Sequence, residues 1–153
     1  MTAMEVTIRP VEAGDRAEWD VLYQGYATFY KVEQTGQMRD TVWGWLMDAG
    51  HGTNGLVAVG DDGKLIGLTH YRPFASPLRA LVNCFLDDLF VDPAARGSGA
   101  ADALIEGVAE IARQNGWPVV RWITADDNYR GRGVYDRLAT RTMWITYDLK
   151  VQP

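Results

Sequence analysis

The stretch Leu89-Phe90-Val91-Asp92-Pro93-Ala94-Ala95-Arg96-Gly97-Ser98-Gly99-Ala100-Ala101 constrains this chain more than any other part of it. An apolar strand runs into a proline, then an arginine and two glycines, then a segment with helical periodicity. A strand–glycine loop–helix junction turns unpaired backbone N–H groups toward one point. Small residues there let a ligand come close to the backbone. Anions bind at such a point, phosphates above all.

The rest of the sequence narrows what surrounds that loop. At 153 residues, 47% hydrophobic and 23% charged, the chain fits one globular domain with a substantial core. No apolar run is long enough for a membrane span, and residues 1–10 lack a basic region followed by an apolar block, so a soluble chain without an export signal is expected. The single Cys84 cannot form an internal disulfide, which is compatible with a reducing cytoplasm. Fifteen Lys and Arg stand against twenty Asp and Glu, with no basic run. That balance argues against general nucleic-acid binding, which needs a cationic footprint. It suits a cationic small substrate, although an acidic surface also serves solubility alone. His51 and His70 have no ligand spacing, so no metal site is expected. Cys84, in an apolar strand, reads as core.

Periodicity supplies the elements. Glu5 to Arg9 alternates as a short strand, and Asp15 can cap a helix. Trp19, Leu22, Tyr23, Tyr26, Phe29 and Tyr30 share one helical face. Met38, Val42, Trp45, Leu46 and Ala49 predict the inner face of a second helix. Leu56–Val59 and Leu65–Tyr71 are strands joined by the turn Asp61-Asp62-Gly63-Lys64. Pro73–Pro77 reads as a loop, and Ala80–Val91 as a long strand, apolar except at Asn83, Asp87 and Asp88. A third helix, lined by Ala101, Leu104, Ile105, Val108, Ile111 and Ala112, ends at Asn115-Gly116. Val119–Thr124 reads as a buried strand. Asn128–Leu138 reads as a short helix with Val134, Tyr135 and Leu138 inward. Met143–Val151 is expected as the last strand. The pattern gives one α/β domain with a mixed sheet.

Three phosphate loops compete for the glycines. A nucleoside-triphosphate loop needs a Lys after them, and none follows. A dinucleotide fingerprint needs a third glycine, but Asp102 stands there, and the loop follows an antiparallel meander rather than opening the domain. The third pattern is Arg-x-x-Gly-x-Ala, present as Arg96-Gly97-Ser98-Gly99-Ala100-Ala101. It resembles the acetyl-coenzyme A pyrophosphate loop of the GNAT N-acetyltransferase superfamily. Val91-x-Pro93 before it and Leu104 after it also match that signature.

The resemblance implies a single-domain GNAT-like α/β fold over residues 1–153. In that fold a mixed, mostly antiparallel sheet is flanked by helices and splays into an acyl-CoA cleft. It makes acetyl-CoA the co-substrate. Arg96, Gly97, Ser98, Gly99, Ala100 and Ala101 would meet the pyrophosphate. The backbone of Leu89, Phe90 and Val91 would hold the pantetheine as an added strand, and one N–H would polarise the thioester carbonyl. Asn128 and Tyr135 have the spacing of a coenzyme-contacting Asn and a general-acid Tyr in the family. A phenol suits that task because it is protonated near neutral pH.

Leu86-Asp87-Asp88-Leu89-Phe90-Val91 resembles a strand of the histone and polyamine acetyltransferase branch, with Asp87 where Glu is usual. Carboxylates in an apolar strand need partners. Regular alternation sends Asp87 and Asp88 to opposite faces. By the resemblance Asp87 binds the acceptor ammonium or removes its proton; a structural cap or an ion pair with arginine is the other role open to it. Tyr23, Tyr26, Phe29, Tyr30, Trp43 and Trp45 lie in the segment that covers the acceptor pocket in relatives.

The expected activity is transfer of acetyl from acetyl-CoA to a primary amine of a polyamine, amino acid or related metabolite. The alternatives are a peptide-lysine acetyltransferase, a non-catalytic acyl-CoA-binding regulatory module, and a nicotinamide oxidoreductase. With the lone cysteine and no export signal the chain is expected in the cytoplasm, and the resemblance implies a homodimer, to whose interface the Met143–Val151 strand could contribute.

Overall fold

The structure, a computed structural model, describes residues 5–152. The chain forms two compact units, one running to Ile123 and the other starting at Thr124.

The first unit is built on a five-stranded sheet whose order follows the sequence. β1 (Thr7–Pro10), β2 (Asn54–Val59), β3 (Leu65–Ser76) and β4 (Leu81–Val91) are antiparallel neighbours, and β5 (Val120–Arg121) joins β4 in parallel. α1 (Arg16–Phe29) and α2 (Gly36–Met47) lie between β1 and β2, and α3 (Ala100–Asn115) follows β4. The β2–β3 turn forms because Gly63 adopts φ +82° and Asp62 accepts the Lys64 N–H.

Both sheet faces are covered. On one, Trp19, Leu22 and Tyr23 of α1 pack with Val57, Leu65 and Leu68. On the other, α3 buries Leu104, Ile105, Val108 and Ala112. Two glycines set how close α3 comes: a Cβ at Gly107 would lie 3.0 Å from Ile8 Cγ2, and one at Gly67 3.2 Å from Leu104 Cδ1. α3 stops at Gly116, whose φ of +73° lets its N–H reach Ala112 and Arg113 carbonyls.

The second unit holds α4 (Tyr129–Leu138), with Val134, Tyr135 and Leu138 half-buried. The expected GNAT-like α/β class, with a mostly antiparallel sheet flanked by helices, is the fold observed.

Five expectations need correction. Asp15 precedes α1 but gives it no side-chain cap; its carboxylate is taken by Arg9 and the Glu12 N–H. The inner face of α2 is Arg39, Val42, Trp43 and Leu46, while Met38, Trp45 and Ala49 are exposed. Arg39 turns inward because Asp20 of α1 accepts its Nε–H at 2.9 Å, and Trp45 instead stacks on His51. β3 runs through Pro73 to Ser76 rather than ending in a loop. β2 reaches only to the partner of Tyr71, so Pro73 sits where one side of β3 is open and a missing N–H is tolerated. Finally, the strand read over Val119–Thr124 is paired only at Val120 and Arg121, and 143–151 carries no helix and no sheet pairing. A strand exists only where a neighbour takes its backbone groups.

Candidate functional site

β4 carries the site residues in sequence order. Its pairing with β3 aligns His70 with Asp88 and Tyr71 with Leu86, so Asp87 is the extra residue of a β-bulge. The bulge interrupts the pleat, and alternation no longer sends the two carboxylates to opposite faces. Both raise the pKa of the same Tyr23 hydroxyl, after burial, which contributes most.

Asp88 is the centre of a buried network missed at the sequence level. Its Oδ2 accepts the Tyr23 hydroxyl at 2.9 Å and lies 2.8 Å from His70 Nδ1. The Tyr26 hydroxyl faces the same carboxylate. Trp19 Nε1 donates to His70 Nε2 at 3.0 Å. An indole N–H only donates, so Nε2 is the accepting nitrogen and Nδ1 carries the proton given to Asp88. His70 itself is 2% exposed. Burial works against the Asp88 charge, but the hydrogen bonds from His70, Tyr23 and Tyr26 outweigh it and hold the carboxyl below its usual range.

Asp87 differs. Its half-exposed side chain accepts from Arg72 Nε at 3.1 Å. Burial pushes its carboxyl up, Arg72 opposes this, and the neighbouring Asp88 charge adds to the rise. The Arg72 guanidinium also lies over the Phe85 ring.

Beyond the bulge, Leu89, Phe90 and Val91 pair with Thr69, Leu68 and Gly67. On the other edge of β4 the pairing with β5 covers only Cys84↔Val120 and Phe85↔Arg121. The second half of β4, Leu86–Val91, therefore runs past its parallel neighbour. Cys84 is fully buried, and burial, with the Asp87 charge adding, pushes its thiol up to about 11. It is a protonated core residue.

After β4, Asp92 accepts the Ala94 N–H, and Pro93–Ala95 forms one 3₁₀ turn. Gly97 and Gly99 have φ of +82° and +84°, and a Cβ on either would meet nothing within 4 Å. The space above both glycines is open. Gly99 caps α3 without a side chain, and Ala100, fully buried, begins the helix with Ala101 beside it. α3 thus starts beside the open space at Gly97 and Gly99. Ser98 Oγ accepts the Ala100 N–H, and Arg96 is exposed.

In the second unit Asn128 is the N-cap of α4. Its Oδ1 accepts the Gly131 N–H at 3.3 Å and its Nδ2 donates to Thr124 Oγ1 at 3.0 Å. A Cβ at Gly131 would lie 2.5 Å from Asn128 Nδ2, so the cap requires glycine there. Tyr135 lies on the same half-buried side of the helix. Among the described residues no group of three or more His, Cys, Asp and Glu side chains could hold a metal ion, and no helix is long and apolar enough to cross a membrane.

A strand that outruns its parallel neighbour and is followed by an open glycine loop is the arrangement the family resemblance implies, and the comparisons identify the family. The Acetyltransferase (GNAT) family model matches residues 19–139. The chain belongs to this family, and it is an N-acetyltransferase with acetyl-CoA as co-substrate. It is 27% identical over 143 residues to the D-amino-acid N-acetyltransferase HPA3 of Saccharomyces cerevisiae, covering 93% of this chain and 89% of that one. It is 28% identical over 132 residues to the uncharacterized N-acetyltransferase YhfO of Bacillus subtilis, covering 86% and 87%. Among solved structures, the ribosomal-protein-alanine N-acetyltransferase of Brucella melitensis biovar Abortus 2308 shares the fold at a TM-score of 0.80 and 24% identity, over 96% of this chain and 99% of that one. The aminoglycoside N-acetyltransferase AAC(6')-Iy in complex with CoA shares it at 0.83 and 18%, over 97% of each.

Proposed function

We propose that residues 1–153 work as one domain that acetylates a primary amine of a small metabolite. The carrying observation is the pair of carboxylates at the β4 bulge, directly before the open edge of Leu89–Val91. Their environments push their pKa values in opposite directions. A pair of that kind divides into a proton acceptor and a standing charge. Asp87 takes the proton of the acceptor ammonium, directly or through water. Asp88, held ionised by His70 and the tyrosines, attracts the cation.

The pyrophosphate of acetyl-CoA binds at Arg96, Gly97, Ser98, Gly99, Ala100 and Ala101, and the backbone of Leu89, Phe90 and Val91 holds the pantetheine. The neutral amine attacks the thioester carbon, an N–C bond forms and the C–S bond breaks. Tyr135 gives its proton to the departing sulfur and Asn128 supports the coenzyme by holding the start of α4.

The acceptor is an amino acid, polyamine or related amine. The D-amino-acid acetyltransferase among the relatives favours the amino-acid end of that range, and the histone and polyamine branch suggested by Leu86–Val91 gains no support from the relatives' names. The chain acts in the cytoplasm as a homodimer in this reading. Free-thiol release from acetyl-CoA against a panel of amino acids of both hands, polyamines, an aminoglycoside and a lysine peptide tests the assignment. Release with small amines and not with the peptide supports it. Coenzyme binding without release for any amine would reduce the chain to a regulatory acyl-CoA-binding module.

A further inference from the structure

The charges at the β4 bulge do not stop with the two carboxylates. His70, Arg72 and Phe74 alternate along β3, and the extra residue of the bulge lies in β4, so these three share one sheet face. Side-chain contacts carry that face onward from Asp87. Asp87 accepts from Arg72 Nε at 3.1 Å. The Arg72 guanidinium lies 4.8 Å from the centre of the Phe85 ring. Phe85 meets Phe74 edge to face at 6.0 Å, and the Arg121 guanidinium lies 5.7 Å from the Phe74 ring. All of these residues belong to the first unit.

Beside two anions, then, stands a strip of two cations on two aromatic rings. Asp87 occupies only Nε of Arg72. The terminal nitrogens of that guanidinium have no hydrogen-bond partner among the described residues, and Arg121 has no carboxylate partner among them. The Arg72 side chain is 43% exposed, so its remaining N–H groups are open to a ligand. Stacking on Phe85 fixes the plane of the guanidinium. A planar guanidinium with free terminal N–H groups suits a carboxylate, which it takes through two parallel hydrogen bonds.

We propose that Arg72 binds the carboxylate of the acceptor, so that the substrate is an α-amino acid held as a zwitterion between the two aspartates and the Arg72 guanidinium. The proposal rests on the assignment of Asp87 and Asp88 to the amine. An α-amino acid carries its ammonium and its carboxylate on one carbon, and Asp87 and Arg72 are in direct contact. The two charges of the ligand therefore meet the two charges of the pair side by side. The Phe85 and Phe74 rings offer its side chain an apolar bed. Arg72 also acts against polyamines, because a second ammonium would approach guanidiniums instead of further carboxylates. Once Asp87 has taken the proton, the neutral amine stays anchored through its carboxylate, an attachment that does not depend on the amine's own charge.

Calorimetry on the full chain with coenzyme A bound tests this. Alanine, leucine and phenylalanine of each hand are compared with ethylamine, isopentylamine and phenethylamine, the same molecules without the carboxylate. At least one acid should bind roughly 10- to 100-fold more tightly than its amine, the range of a hydrogen bond between charged groups. Arg72→Gln should remove that preference. Arg72→Lys, which keeps the charge and loses the fork, should keep only part of it. Any change the variants cause at Asp87 cancels in the ratio, because both members of a pair present the same ammonium to it. Acetyl-CoA affinity checks the fold of the variants, and the preference of the unmodified chain is a test even if both fail to fold. Equal binding of acid and amine in every pair, or a preference that survives Arg72→Gln, would overturn the carboxylate site. Binding is read apart from turnover. A chain that prefers the acid through Arg72 and yet releases no thiol from acetyl-CoA therefore keeps the site and loses the small-amine transferase reading.

Discussion

Replacing Asp88 by Asn isolates the charge at the centre of the network while keeping the side-chain size. Asp88 Oδ2 takes the Tyr23 hydroxyl at 2.9 Å and the His70 Nδ1–H at 2.8 Å. A hydrogen bond to a charged acceptor contributes roughly 1.5–3 kcal/mol, and a neutral one about 1 kcal/mol. Exchanging two charged bonds for neutral ones therefore removes about 1–4 kcal/mol at pH 7. For a chain of this length each kcal/mol shifts the thermal midpoint by about 2–4 °C, so Tm should fall by about 2–16 °C. The pH dependence fixes the cause. The Asp88 carboxyl is held below its usual value in the folded state. Its contribution is then complete above the unfolded carboxyl pKa of about 4 and is lost as pH falls through the folded value. The Tm gap between the parent and Asp88→Asn should stay constant from about pH 8 to 5 and close in stronger acid. Circular dichroism melts across that range supply the data. An unchanged midpoint at pH 7, or a gap that widens in acid, refutes the charge-centred network.

Three other substitutions address the chemistry. Tyr135→Phe should lower kcat by about 10²-fold or more while preserving acetyl-CoA affinity, since proton transfer by a positioned side chain typically contributes 10²–10⁴-fold; single-turnover kinetics and calorimetry separate the two effects, and unchanged kcat removes Tyr135 from its role. Asp87→Asn should abolish the acid limb of the kcat/KM profile for the amine, because the raised carboxyl pKa makes activity fall as pH drops through it; a limb that persists assigns proton acceptance to another group. Gly99→Ala forces a side chain into φ +84°, a strain of about 1–2 kcal/mol, and should raise the acetyl-CoA KM by roughly tenfold while leaving the amine KM nearly unchanged.

Features written in local chemistry were readable from the sequence. Gly63, Gly97, Gly99 and Gly116 announced backbone turns that the structure places at positive φ. The α3 stripe predicted its buried face because four of its six residues, Leu104, Ile105, Val108 and Ala112, are buried together. Features decided by distant neighbours were not readable. The phase of α2 turns on Arg39 meeting Asp20 across two helices, which no apolar count includes. β5 read as six buried residues because its apolar content was visible and its lack of an outer neighbour was not. His70 looked isolated because its partners, Trp19 and Asp88, lie 51 and 18 residues away.

The bulge at Asp87 is the point where sequence reasoning and structure part most usefully. A regular pleat forces a choice between two carboxylates, and the family resemblance made that choice. One extra residue in β4 removes the need for it. Asp88 stays opposite His70 and takes its buried partners, while Asp87 is left unpaired in the ladder and swings to Arg72. The two groups then differ in burial, partners and proton affinity although they are adjacent in the chain. Immediately afterwards β4 resumes regular pairing with β3 and loses its β5 neighbour, so Leu89–Val91 present one free backbone edge. The open glycine loop follows. Read from Asp87 to Ala101, the chain thus lays out in order what an amine, a thioester and a pyrophosphate each require: anionic side chains, backbone N–H and C=O groups, and a helix N-terminus. In the proposed function the amine, the acyl group and the coenzyme phosphate, joined in that order, follow the order of this stretch of fifteen residues, with Asn128 and the proton donor Tyr135 supplied from later in the chain.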